Sequence, residues 1–434
     1  MNFILIYELS NREFDNLALL KTELIKRGHT VKILSKFTDF NLIYKKSVVL
    51  VPNAYCNGDL EYYRYVFNLR DNPIVVYPCE QVINRKMPEF FDVSSDNLVK
   101  TLPTLCWGKD YYEFIQELGY TNKDNTIVGS VNLDFCKQEL KNYYFTKNEL
   151  ETRYNIPKQK KWLLFISDFV FQNVALGEHY IEEGSLTETT VISMREYESC
   201  LQKEIIGWFE TFLQNHPEYV LIYRKHPMEI KEELIYNIEK AVPDQFFEIS
   251  ELGIKQWIFV SDKICTYNST AIVECAVAHK ECIYLRPREF PIDSSITEYP
   301  FYKNYPRVKT YVEFEEVIKQ NTSNYKLILD SIKYQYYIDD NLACKRIADS
   351  LEKVANDVVS SGLPMNNYAF KRLLYLIKTN WISKIMLKKL YSFGIDILKI
   401  PQGKESLLAI KEWNAVRYNK KKEKEIIARM KHII

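Results

Sequence analysis

Residues 2–35 read NFILIYELSNREFDNLALLKTELIKRGHTVKILS. The run 2–9 is apolar almost throughout, as suits a strand buried on both faces of a parallel sheet. Leu17, Leu20, Leu24 and Ile25 then recur at helical spacing, and RGH closes that helix before TVKILS begins a second short apolar strand. Strand, helix and strand in so few residues make a βαβ unit. The series continues with SVVLVPN (47–53), a helical LEYYRYVFNLRD, NPIVVYPCE (72–80), TLCWG (104–108), a helical KDYYEFIQELGY and NTIVGS (125–130). Residues 1–135 therefore read as one doubly wound, Rossmann-like domain.

Residues 136–160 are polar and lysine-rich and read as a linker containing a helix. The alternation then restarts with WLLFISDF (162–169), a long helix over 197–216, YVLIYRKHP (219–227), a helix over 230–242, FFEIS, the helix STAIVECAVAHK and the strand ECIYLRP. A second Rossmann-like domain is expected over 161–330, and a helical tail over 331–434. Two such domains facing each other leave a cleft at the carboxyl ends of their strands, where ligands of open α/β sheets bind.

Lys and Arg number 58 against 57 Asp and Glu. So even a balance gives the chain no long-range pull on nucleic acid. The nine cysteines are odd in number, never spaced C-x-x-C and mostly inside apolar runs. That pattern fits free thiols in a reducing cytosol and argues against a zinc site or a disulfide framework. No basic segment precedes the first apolar run, so it reads as a buried strand and not a signal peptide. No stretch reaches the ~20 apolar residues that span a bilayer; a soluble or peripheral protein is expected.

The tail has its own composition. Between 361 and 434 there are 16 Lys and Arg against 5 Asp and Glu, so residues 1–360 are net acidic. Within 371–398, Leu374, Ile377, Trp381 and Ile385 recur at helical spacing among lysines. A basic amphipathic helix of this kind suits an anionic membrane surface; a helix packed on the second domain with a solvated lysine face is the alternative.

Gly is only 12 of 434, with neither G-x-G-x-x-G after the first strand nor a P-loop. Any phosphate must then be held by helix starts and side chains. In CTYNSTAIVECAVAHK the apolar strand ends at Asn268, and Ser269 or Thr270 is a natural N-cap for the helix that follows. An ordinary capped helix is the alternative. His226 and Pro227, after Arg224 and Lys225, sit at the end of another strand of the same domain, where the histidine can donate to a phosphate. A second His-Pro pair, His216 and Pro217, lies at a helix end and serves as a control. Glu274, four residues beyond Thr270, can reach ribose hydroxyls or can be a solvated helix residue. For acid or base chemistry the candidates are Glu80, ending NPIVVYPCE, where partial burial would raise its pKa, and Asp168, ending WLLFISDF. Glu182 and Glu183 of YIEEGS are a third possibility.

From residue 1 to about 320 the chain resembles bacterial surface-carbohydrate and capsule-biosynthesis glycosyltransferases of the two-Rossmann GT-B type, related to Kdo transferases and bacterial sialyltransferases. The resemblance rests on the opening βαβ unit, the CWG strand end, VGSVNLD (128–134), YNIPKQKKWLLFISDF, RKHP and YNSTAIVECAVAHKECIYLRP. It implies that His226–Pro227 and Ser269–Thr270 contact the nucleotide of a nucleotide-sugar, with a CMP-linked ulosonic acid such as Kdo as donor and a glycan or glycolipid as acceptor. It implies metal-independent transfer without a cofactor, in the cytoplasm or on the inner face of its membrane. The family's acidic-acidic-Gly motif is incomplete at PCEQV, where Glu80 stands alone. The alternatives are a CDP-polyol phosphotransferase of the teichoic-acid type and a non-catalytic scaffold of glycan assembly.

Overall fold

The computed structural model describes residues 1–36, 45–83, 88, 91–182, 184, 186–290, 299–357, 367–379 and 419–430. The chain divides into two units, Met1–Asp134 with Lys333–Ile434, and Phe135–Ile332.

In the first unit β1 (Asn2–Tyr7), α1 (Ser10–Lys26) and β2 (Thr30–Ser35) form the expected βαβ element, with β1 and β2 paired in parallel from Asn2–Thr30 to Tyr7–Ser35. Leu9 caps α1 without a side-chain hydrogen bond. Glu13 reaches back instead, its buried carboxylate accepting the N–H groups of Glu8 (3.0 Å) and Leu9 (3.2 Å). β3 (Val48–Val51), α2 (Asn57–Val66) and β4 (Ile74–Val76) complete a parallel sheet ordered β2-β1-β3-β4. A bridge from Val76 to Thr104 leads on to the parallel pair β5 (Leu105–Cys106) and β6 (Thr126–Ile127), around α3 (Lys109–Glu117), and α4 (Val131–Asp134) follows.

The second unit opens with α5 (Lys147–Tyr154) and β7 (Lys161–Ile166), then α6 (Val174–Glu182), α7 (Glu188–Asn215), β8 (Tyr219–Arg224), α8 (Glu233–Ala241) and β9 (Phe246–Glu248). It continues through α9 (Ile254–Val260), β10 (Lys263–Thr266), α10 (Ile272–Val277), β11 (Cys282–Leu285), β12 (Arg307–Val308), α11 (Tyr311–Lys319) and α12 (Tyr325–Ile332). All six strands run parallel in the order β12-β11-β10-β7-β8-β9. The order reverses between β7 and β10, the switch point where such sheets open a crevice at their carboxyl edge. One face of α7 supplies Leu201, Ile205, Phe209 and Phe212 to the core, at the spacing that puts them on one helix stripe. Each is fully buried and contributes about 1.5–3 kcal/mol.

Two boundaries differ from the reading of the sequence. The stretch expected as a linker belongs to the second unit: Gln256 accepts the N–H of Phe145 (2.8 Å) and donates to its carbonyl (2.9 Å), and Asp262 binds both Lys147 Nζ and the Trp162 N–H. The tail, in its described parts, belongs to the first unit. α13 (Ala343–Asn356) starts on Asp134, whose buried carboxylate accepts the N–H groups of Ala343 (2.8 Å) and Cys344 (2.9 Å). Arg27 and His29 bind Glu352 on the same helix. α14 (Tyr368–Lys378) lies on α2, where the Tyr368 hydroxyl donates to the Arg64 carbonyl, and α15 (Lys420–Met430) lies on α1, with Lys21 bound to Glu423. Trp381 and Ile385 lie outside the described residues. No helix among the described residues is long and apolar enough to cross a membrane. None of the nine cysteines forms a disulfide.

Candidate functional site

β8 delivers Arg224, Lys225 and His226 to the carboxyl edge of the second sheet. The sequence then turns on itself. The Glu229 N–H donates to the His226 carbonyl (2.9 Å) across Pro227, whose fixed φ suits the second position of such a turn. The Met228 N–H donates to His226 Nδ1 (3.2 Å). Nδ1 is thereby the acceptor, which leaves the imidazole proton on Nε2, the nitrogen that can donate to a ligand. Desolvation holds the ring below its ordinary pKa, so it is neutral at physiological pH.

Glu229 ties this turn to the sheet. Its buried carboxylate accepts the Ser167 hydroxyl (2.6 Å) from the end of β7, the Tyr223 hydroxyl (2.6 Å) from β8 and the His226 N–H (3.1 Å). Burial pushes its pKa up to about 7 against those three donors. Asp168 is the next residue after Ser167. Burial, and then the charge of Glu229, push its carboxyl well above the usual range.

Across the switch point, β10 ends in Tyr267 and Asn268. Asn268 adopts a left-handed backbone (φ 50°), which asparagine tolerates better than most residues, and its buried Oδ1 has no hydrogen-bond partner among the described residues. α10 begins later than expected. Its N-cap is Ala271, without side-chain capping, and Ser269 Oγ accepts the Ala271 N–H (3.3 Å) ahead of it. The Ser269 carbonyl accepts the Tyr302 hydroxyl (2.6 Å). Thr270 and Ser269 thus open a single helical turn at the same sheet edge as His226, and burial raises the pKa of Glu274 within it.

The two cations beside His226 are engaged within the protein. The Arg224 guanidinium donates to the carbonyls of Ile249, Glu251 (2.8 Å) and Leu252 (2.8 Å), lies over the Trp257 ring, and has its pKa lowered to about 10 by burial. Its place is that of a brace for the loop after β9. Lys225 pairs with Glu248 (3.3 Å). His216, the control, caps α7 away from this edge: its ring packs on Phe212 and Nε2 binds Glu315 (2.7 Å).

In the first unit a cavity of about 170 Å³ lies against the carboxyl ends of β1, β3 and β4, with Arg12, Pro52, Tyr77, Cys79 and Trp107 in its wall. Glu80 stands at its rim, with the side chain 73% exposed and paired to Arg12 (2.8 Å). The burial expected for this carboxylate does not occur, because β4 ends at Val76, four residues before Glu80, and the side chain turns out to the α1 guanidinium. Cys79 accepts from Arg12 (2.8 Å) and Asn53 (3.2 Å), and burial lifts its thiol to about 12. It is not a nucleophile at neutral pH. Glu182 is exposed at the end of α6, and Glu183 lies outside the described residues.

Reading the sequence alone missed Glu229, Ser167 and Tyr223. The available signal was HPME itself, a Pro at the second and an acid at the fourth position of a turn directly after a strand. It also missed Arg286, the charged residue that ends the apolar run CIYL.

No family model matches the chain, and no curated protein matches it. Solved structures do. A UDP-GlcNAc 2-epimerase from Neisseria meningitidis bound to UDP-GlcNAc aligns with 81% of this chain and 100% of its own, at TM-score 0.51 and 12% identity. A putative UDP-N-acetylglucosamine 2-epimerase from Listeria monocytogenes aligns over 82% and 97%, at TM-score 0.50 and 11% identity. A variant of the wall teichoic acid polymerase TagF aligns over 82% and 89%, at TM-score 0.50 and 11% identity. What these likenesses establish is the fold: two doubly wound Rossmann-like domains of the GT-B type.

Proposed function

We propose that the chain is a nucleotide-sugar-dependent glycosyltransferase of bacterial surface polysaccharide assembly. The observation that carries this reading is the polar knot at the carboxyl edge of the second sheet, where Glu229 holds the His226 turn beside the switch point and Ser269–Thr270. The second unit binds the nucleotide of the donor. His226 donates Nε2–H to its phosphate, the N–H groups at Ser269–Thr270 add to that anion site, and Asp168, whose carboxyl pKa burial raises, is the candidate acid at the end of β7. The first unit binds the acceptor glycan at the cavity rimmed by Arg12 and Glu80. No resident metal or cofactor takes part. A CMP-linked ulosonic acid is the donor tested first, and UDP-, CDP- and GDP-linked donors are the alternatives. The chain works in the cytoplasm, with α14 against the anionic inner face of the membrane.

A second reading, transfer of a polyol phosphate from a CDP-linked donor, draws support from the likeness to the teichoic acid polymerase. Thermal-shift titration with CMP, CDP, UDP and GDP tests both readings. Stabilisation by at least one nucleotide is expected, at ~3 kcal/mol when the ligand stands at a hundred times its Kd. His226→Ala should remove most of it and His216→Ala should leave it. Indifference of the wild-type protein to all four nucleotides would refute the enzyme readings together.

A further inference from the structure

Arg286 closes β11 at the carboxyl edge of the second sheet, two strands from β7. It is 2% exposed. Its backbone N–H continues the ladder to Val308 (2.8 Å), but Nε and one terminal nitrogen of the guanidinium have no hydrogen-bond partner among the described residues. Among the described residues aromatic rings surround it: the guanidinium lies 3.6 Å from the centre of the Phe290 ring, 5.8 Å from that of Tyr197 and 6.0 Å from that of Tyr284. The nearby carboxylate that senses its charge, Glu289, is already held by Lys309 (3.0 Å) and Arg307 (3.1 Å).

A guanidinium cannot lose its proton to relieve such a position. Buried charges in stable proteins are paired, and ring faces offset only part of the desolvation of a cation. Each orphan N–H group, on Nε and on Nη1, can donate to an anionic oxygen of a phosphate or a carboxylate. Other features tie Arg286 to the edge described above. Tyr284, on whose ring it borders, stacks on Tyr302 (4.2 Å), and the Tyr302 hydroxyl binds the Ser269 carbonyl. Tyr267, which ends β10 beside Asn268, feels both Arg286 and Asp168.

We infer that Arg286 is a binding residue for an anionic group of the donor other than the phosphate held at His226 and Ser269. The inference rests on the proposed nucleotide-sugar site and specifies its ligand: the donor carries a second anion, either a second phosphate or a carboxylate on the sugar. The rings of Phe290, Tyr197 and Tyr284 border the guanidinium without neutralising it, so the incoming anion supplies the charge that the protein withholds.

The test compares the wild-type protein with Arg286→Met and Arg286→Lys by calorimetric binding and thermal unfolding. The probes are CMP against CDP and UMP against UDP for a second phosphate, and CMP against CMP-Kdo for a sugar carboxylate. In the wild type the doubly anionic member of at least one pair should bind more tightly. Arg286→Met should weaken that member by about 10- to 100-fold while leaving its monophosphate partner within about twofold. Arg286→Lys, which keeps the charge and loses the planar set of N–H donors, should fall between the two. Because an unpaired buried charge burdens the free protein, Arg286→Met should match or exceed the wild type in ligand-free melting temperature. A structural arginine predicts the opposite: a lower melting temperature for Arg286→Met, or failure to fold, and equal weakening of every ligand. Either result overturns the inference. Equal affinities within all three pairs overturn it too, with the nucleotide site itself intact. Absence of any nucleotide binding removes the site reading as well.

Discussion

Glu229 shows how a single side chain links stability to the state of the site. Its carboxyl titrates near 7, against 4.5 unperturbed, with burial as the main cause. A raised acid binds its proton more tightly in the folded chain. Its contribution is therefore complete below pH 4.5 and is lost as pH rises through 7. The loss amounts to roughly 3 kcal/mol for this one group. His226 acts the other way: its lowered pKa makes its contribution complete above 6.5 and erodes it as pH falls. Glu229→Gln should remove the decline expected between pH 4.5 and about 7 in urea unfolding of the wild type and keep the His226 turn, since an amide oxygen can still accept the Ser167 hydroxyl and the His226 N–H. Unchanged pH dependence in that variant would show that Glu229 is already ionised when folded. The residue scale also contains the plainest limit on reading sequence. His226 was visible as a strand-end histidine, but its tautomer depends on the N–H of Met228, and that contact exists only once the turn has closed.

Among the elements, α14 presents two faces of different character. Tyr368 and Arg372 bond to the backbone of α2, through the carbonyls of Arg64 (2.6 Å) and Tyr65 (2.7 Å). The opposite stripe, Phe370, Leu373, Leu374 and Ile377, is at least half exposed or close to it, with Lys371 and Lys378 alongside. Helical spacing alone had marked Leu374 and Ile377 as apolar; which face α2 would occupy could not be read from it. In vesicle flotation the wild type should bind membranes containing anionic lipid, and the pair Phe370→Ser with Leu374→Ser should reduce binding by about tenfold or more, each lost side chain being worth upwards of 1 kcal/mol. Equal flotation of both proteins would show that this stripe does not meet lipid.

A turn nearby makes an equally specific prediction. A Cβ on Gly108 would stand 2.3 Å from the Gln335 carbonyl oxygen, where the backbone of 334–337 bonds to Asp110 N–H (3.0 Å) and the Trp107 carbonyl (2.7 Å). Gly108→Ala should destabilise the first unit by about 1–3 kcal/mol, measured by denaturant midpoint. The CWG motif looked like a strand end in the sequence, and so it is; the reason for its glycine is a segment more than two hundred residues away.

For the whole molecule, the βαβ rhythm foretold two doubly wound units but not their membership. Chain order suggested a tail hanging from the second unit. Instead, Asp134 seats the start of α13, and α13 and α15 cover α1. A chain comprising 135–332 should fold alone with a cooperative thermal transition. One ending at residue 332 should retain that transition and lose most of the first unit's, because the apolar side of α1 is then uncovered. Two intact transitions in the shortened chain would contradict this assignment.

Apolar runs of four to six residues, helical spacing between them and a near absence of glycine were enough to determine strand and helix identity, parallel sheets and the lack of a glycine-rich phosphate loop. These properties depend on neighbours along the chain. The tertiary structure decided which charges are spent and which are left over: Arg224 goes to carbonyls of the loop after β9, Glu80 to Arg12, and two nitrogens of Arg286 have no hydrogen-bond partner among the described residues. A charged side chain reads the same in any sequence, and only the groups that folding brings within hydrogen-bond reach determine whether it braces the protein or waits for a ligand.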